Sequence, residues 1–179
     1  MKQEIIFAGF GGQGVLSMGM TLAYSCMVES KEVSWMPSYG PEMRGGTANC
    51  TVILSEEAIS SPIISQYDVA IILNQPSMDK FESSVKPGGS LFYEANNIIQ
   101  KPTRTDISIY EIPAAVEAGK MENAKTMNMI MLGAYLGVHP VVKVSSILEG
   151  LKKVLPERHH HLLPLNEKAL KRGMELPQK

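Results

Sequence analysis

Only two cysteines, Cys26 and Cys50, occur in the 179 residues, and they form no CxxC pair. A four-thiolate zinc site or iron–sulfur cluster therefore cannot be assembled from this chain alone. An excess of one charge is missing as well. Seventeen Lys and Arg against eighteen Asp and Glu leave a formal net charge of −1, which gives no electrostatic footprint for nucleic acid or an acidic membrane. No apolar run approaches the roughly eighteen residues of a membrane-crossing helix. Gly11, Gly12 and Gly14 break the amino-terminal apolar stretch where a signal peptide would need continuity. A reducing, cytoplasmic setting follows, with both thiols expected as buried small apolar groups rather than a disulfide. There is no nucleophile-elbow serine, no Cys/His constellation of assignable geometry, no Walker lysine and no Gly-Asp-Gly thiamine diphosphate motif. The chain does not read as a complete catalyst.

What the chain does contain is an ordinary globular balance, 44% hydrophobic and 20% charged, long enough to bury a sizeable core in one domain over residues 1–179. Glu4 to Ala8 reads as a short buried strand bounded by glycines, and Val15 to about Glu29 has apolar residues at helical spacing. A second strand is expected over Glu32 to Met36, ended by Pro37. Thr47 to Leu54 alternates with strand period, and Asp68 to Leu73 is a nearly continuous apolar run of the kind covered on both faces in a parallel sheet. Ser77 is expected to cap a helix through Val85, with a turn at Lys86 to Gly89 and strands at Ser90 to Tyr93 and Ser108 to Ile112. Helices follow at Met127 to Leu136, where Gly133 and Gly137 permit close packing or termination, and at Ser145 to Leu155, capped by Ser145 or Ser146. A terminal helix over Asn166 to Met174 is expected to stop at Gly173. This alternation predicts an α/β fold, a Rossmann-like, mainly parallel sheet with flanking helices and a helical C-terminal extension.

Gly9-Phe10-Gly11-Gly12-Gln13-Gly14 has GxGxxG spacing between a strand and a helix, where glycines free the backbone amides at a helix N-terminus for a phosphate. A close strand–helix turn without ligand uses glycine equally. A dinucleotide site also needs an acid at the end of the second strand. That region reads Val33-Ser34-Trp35-Met36, with Glu29 and Glu32 too early, so an ordinary NAD or FAD site is disfavoured. Ser38 to Gly46 is crowded with backbone-special residues and reads as a structured loop. Within it Arg44, beside Gly45 and Gly46, offers a guanidinium and nearby amides to a phosphate or carboxylate, and Glu42 could orient it. A loop-stabilising acid–base pair at a subunit contact fits the same residues. His159-His160-His161 lacks the spacing of a shared metal site. His139 before Pro140 reads as a turn residue, the methionines as packing, and Asp68, Asp79 and Glu94 form no convincing acid pair.

Taken together, GFGGQGV (Gly9 to Val15), SYGPEMRGG (Ser38 to Gly46) with ANCTVILS (Ala48 to Ser55), Ser61-Pro62, the D-x-x-I-x-L-N run from Asp68 to Asn74, and N-x-x-A-L-x-x-G from Asn166 to Gly173 resemble the γ subunit of the 2-oxoacid:ferredoxin oxidoreductases, the pyruvate, 2-oxoglutarate, 2-oxoisovalerate and indolepyruvate group. The resemblance spans nearly the whole chain. It implies a complex that oxidatively decarboxylates a 2-oxoacid, 2-oxoglutarate being one expectation, to an acyl-CoA while reducing ferredoxin. Thiamine diphosphate and iron–sulfur clusters would then sit on partner α, β and ferredoxin-like δ subunits, and the isolated chain would be inactive. Coenzyme A phosphates are expected at the amides of Gly11, Gly12, Gln13 and Gly14, with Gly9 counted in the same cofactor-binding segment and Arg44, Gly45 and Gly46 as a second anchor. Two rival expectations are a non-catalytic scaffold that touches no ligand and an independent NAD-dependent oxidoreductase.

Overall fold

The six segments expected as strands form six strands, and the computed structural model describes residues 1–39 and 47–177. The strands β1 (Lys2–Phe10), β2 (Glu32–Tyr39), β3 (Thr47–Ser55), β4 (Tyr67–Ile72), β5 (Val85–Glu94) and β6 (Ser108–Ile112) form one sheet in the order β2-β3-β1-β4-β5-β6. β1, β4, β5 and β6 are mutually parallel, whereas β3 runs antiparallel to both β1 and β2, so the sheet is mixed. The helices are α1 (Val15–Val28), α2 (Gln75–Phe81), α3 (Ala114–Lys120), α4 (Met127–Val138), α5 (Val144–Val154) and α6 (Leu163–Glu175).

Alternate strand residues divide the core. Ile5, Phe7, Cys50, Val52, Leu54, Val69, Ile71 and Phe92 pack with Met18, Leu22, Met131 and Ile147 from α1, α4 and α5. The opposite face buries Ile6, Ala8, Ala70, Ile72, Leu91 and Tyr93 beneath Met78 and Phe81 of α2. From Val69 to Ile72, β4 is thus buried on both faces, which is why that stretch is continuously apolar. Cys26 and Cys50 are free and buried, and burial pushes their thiols up to about 11 and about 12, so neither ionises near neutrality.

Several boundaries differ from the sequence expectation, each for a physical reason. β2 continues through Pro37 because it is an edge strand, where one missing ladder donor is tolerated. Asn74, not Ser77, caps α2: its Oδ1 accepts the Ser77 N–H at 2.9 Å. That helix ends at Phe81, and β5 already starts at Val85, with Gly88 at φ 79° inside the irregular start of the strand. No serine caps α5. Its start is instead tied to the end of α1, since the Glu29 carboxylate accepts the N–H of Lys143, just before the helix, and the Ser146 hydroxyl, each at 2.7 Å. Gly173 lies inside α6 rather than stopping it. A Cβ there would overlap the Ile130 carbonyl, and one at Gly133 would overlap the Leu170 carbonyl, so these glycines let α4 and α6 cross backbone to backbone. His139 is more than a turn residue: it ends α4, and its Nε2 stands 3.0 Å from the Ser90 hydroxyl of β5.

Candidate functional site

The connections on either side of β1 and β4 leave the sheet in opposite directions. After β1 the chain enters α1 on one face; after β4 it enters α2 on the other. This divergence makes the carboxyl ends of β1 and β4 the switch point of the sheet, the place where open α/β sheets form a ligand crevice. Gly9 to Gly14 lies there. Gly12 and Gly14 hold φ at 92° and 75°, which only glycine adopts without strain.

Each of the glycines meets a different constraint. Gly9 leaves room for a neighbour, since a Cβ would stand 2.6 Å from Gln13 Oε1 and 2.9 Å from Leu73 Cβ. Gly14 is crowded by a residue far away in sequence: a Cβ would lie 2.5 Å from Asn128 Nδ2 in the first turn of α4. Gly11 and Gly12 are exposed, and nothing stands within 4 Å of a Cβ placed on Gly12. A ligand can therefore approach the backbone itself.

Electrostatics favour an anion at this point. α1 begins at Gly14 with no side-chain cap and no acidic residue in its first turn. The first helical bond is donated by Met18 to the Gly14 carbonyl at 2.9 Å, and the Val15, Leu16 and Ser17 N–H groups have no acceptor among the described residues. The amides of Gly11, Gly12 and Gly14 are open in the same way, while the Gln13 N–H closes a turn onto the Phe10 carbonyl at 3.2 Å. Open donors at the positive end of a fourteen-residue helix are suited to phosphate oxygens.

The second anchor expected from the sequence, Arg44 with Glu42, Gly45 and Gly46, lies outside the described residues. The described residues on either side of it are placed: Tyr39 pairs with Ala48, Ala48 with Gly9 and Thr47 with Phe10, so the end of β2 and the start of β3 lie toward the glycine-loop end of β1. The three consecutive histidines do not converge. His160 Nε2 faces the Leu155 carbonyl and His161 Nδ1 the Arg158 carbonyl, each at 2.9 Å. Asp68 and Glu4 flank Lys86 at 2.8 and 2.6 Å at the opposite end of β1. Glu94 is fully buried at the end of β5, where it accepts the N–H groups of Asn96, Asn97 and Ala115 and so secures the start of α3. Antiparallel β3 separates β2 from β1, so the usual place of a ribose-binding acid, the end of a parallel second strand beside β1, does not exist here. Asn128 had no local sequence signal; only the packing of α4 brings it to the loop.

Fold and site together define a doubly wound α/β protein with an anion-type glycine loop at the switch point of its sheet. The chain belongs to the pyruvate ferredoxin/flavodoxin oxidoreductase family, which it matches over residues 4–176. It is 37% identical to ketoisovalerate oxidoreductase subunit VorA of Methanothermobacter thermautotrophicus, over 96% of this chain and 36% of that one. The chain thus spans about a third of the length of the VorA relatives. The keto/oxoacid ferredoxin oxidoreductase γ subunit of Geobacter sulfurreducens has a TM-score of 0.80 at 27% identity, covering 97% of this chain and 96% of that one. The 2-oxoglutarate:ferredoxin oxidoreductase of Magnetococcus marinus, solved with 2-oxoglutarate, coenzyme A and succinyl-CoA bound, has a TM-score of 0.88 at 25% identity, covering 98% of this chain and 31% of that one. No helix among the described residues is long and apolar enough to cross a membrane.

Proposed function

We propose that residues 1–179 act as a single γ-type domain in a multi-subunit 2-oxoacid:ferredoxin oxidoreductase. In this reading the complex oxidatively decarboxylates a 2-oxoacid to an acyl-CoA, with ferredoxin as electron acceptor, in the cytoplasm. Thiamine diphosphate and iron–sulfur clusters belong to the α, β and ferredoxin-like δ partners. This chain binds and orients CoA and breaks no bonds itself. The observation that carries the reading is the acid-free, uncapped start of α1 at the sheet switch point, in a chain of this family.

The fit to CoA rests on the donors present. The amides of Gly11, Gly12 and Gly14 and the first turn of α1 would take phosphate oxygens, and Arg44 with Gly45 and Gly46 would add a second anchor from the adjoining segment. Gln13 belongs to the same loop, its own amide engaged in the turn. Holding the phosphates there would direct the CoA thiol toward an acyl group on a neighbouring subunit, so the contribution to rate is one of proximity. The named relatives act on ketoisovalerate and 2-oxoglutarate, and both belong in the assay.

Co-purification of the tagged chain tests the assembly: a brown, thiamine-containing complex whose ferredoxin reduction requires both a 2-oxoacid and CoA is expected. Within that complex, Arg44→Ala is expected to raise the CoA requirement about tenfold with assembly intact, the scale of one charge-assisted contact. Loss of assembly with unchanged CoA dependence in the residual complex would show a structural role for Arg44 instead.

A further inference from the structure

The pairing of β1 with β4 stops one rung before its own geometry would end it. The even-numbered residues of β1 direct their backbone toward β4. Ala8 stands opposite Ile72, and its carbonyl accepts the Leu73 N–H at 2.8 Å. In a parallel ladder the next bond runs from the Phe10 N–H to the Leu73 carbonyl, and it is not made. The Gln13 side chain takes its place. Its Oε1 accepts the Phe10 N–H at 2.6 Å, and its Nε2 donates to the Leu73 carbonyl at 3.4 Å.

One carboxamide, with the donor and acceptor of a peptide group, thus substitutes for the missing rung and lies between the two strand ends. Gly9 supplies the space, because any Cβ there would press on Gln13 Oε1 at 2.6 Å. The opposite end of the same ladder is also closed by a side chain: Asp68 Oδ2 accepts the Glu4 N–H at 2.8 Å. There the acceptor comes from β4 itself. At the glycine loop it comes from the loop, so the separation of the strands and the conformation of the loop are one coupled variable.

We infer that Gln13 is the positioning residue of the glycine loop: its carboxamide, wedged between Phe10 and Leu73, holds the carboxyl ends of β1 and β4 apart and thereby sets the loop amides for the CoA phosphates. This rests on the loop being the CoA site. Side-chain chemistry makes the role specific. Asn is one methylene too short to reach both strand groups, and Glu keeps the acceptor but loses the donor and adds a negative charge where the anion would bind.

Two measurements test it. In a crystal structure of the ligand-free Gln13→Ala chain, the Phe10 N–H is expected to pair with the Leu73 carbonyl at an N···O distance below about 3.5 Å. In the assembled complex, Gln13→Ala is expected to raise the KM for CoA about tenfold while leaving the 2-oxoacid KM within about twofold. Gln13→Glu should raise it further, by an amount that shrinks as salt is added. Strand ends that stay apart in Gln13→Ala would overturn the wedge. So would a CoA KM that responds to Gly12→Val but ignores Gln13→Ala. A CoA KM indifferent to both substitutions, with the rung closed, would instead overturn the assignment of the loop to CoA.

Discussion

Gly12 holds φ at 92° in open space, so a side chain there meets backbone strain but no neighbour. Gly12→Val is accordingly expected to cost about 1–2 kcal/mol in the loop conformation and to put a branched side chain over the donors a phosphate would use. Steady-state kinetics of the complex should show the KM for CoA rising while the KM for the 2-oxoacid stays fixed; an equal rise in both would argue against a local phosphate role. At this scale the sequence was most informative where the chemistry is local. The glycine spacing names its own positions because strand, turn and helix start are contiguous. Asn128 was invisible because it reaches Gly14 from 114 positions away. Asn74 as a helix cap was masked by Ser77, an equally good capping residue one turn later; Pro76 at the start of the helix is consistent with the earlier boundary.

At the scale of elements, glycines and ion pairs govern how the helical layer closes. α4 and α6 approach so closely at Gly133, Gly137 and Gly173 that any Cβ meets backbone of the other helix, which cannot rotate away as a side chain could. Gly173→Leu is expected to destabilise the chain by about 3 kcal/mol, the upper range of overpacking, read as a lowered midpoint in urea; a midpoint within error of wild type would mean that the helices separate freely. α3 is tied to the same layer by Glu117, whose carboxylate accepts from Arg172 and Lys120, each at 2.7 Å. Those cations hold its carboxyl down at about 2, below the ordinary 4.5. Because the folded value is depressed, the stabilisation is complete above pH 4.5 and is lost as pH falls toward 2. Wild type should therefore melt above Glu117→Gln at pH 7, with the gap closing over that acid window; a gap independent of pH would place the effect elsewhere. Element types were legible from periodicity and neighbour relations were not. The alternating pattern of β3 is the same whether its partner runs parallel or antiparallel, and nothing local marks β2 as the edge strand that can carry Pro37.

For the molecule as a whole, the two-sided core and the diverging connections after β1 and β4 matter more than any single contact, because they fix where a ligand can lie. The uncapped start of α1 and its open backbone donors lie at this switch point, while both thiols are buried and un-ionised. Sequence reasoning reached the α/β class through strand–helix alternation and the family through its glycine segments; the strand order had to come from the structure, since it is decided by contacts between segments distant in the chain. Amide hydrogen exchange across residues 9–17 of the assembled complex, measured with and without CoA, probes the loop directly. Slower exchange at Gly11, Gly12, Gly14 and the first turn of α1 on adding CoA is the predicted result, whereas exchange there that is identical with and without CoA, in a complex that turns over CoA, would contradict it.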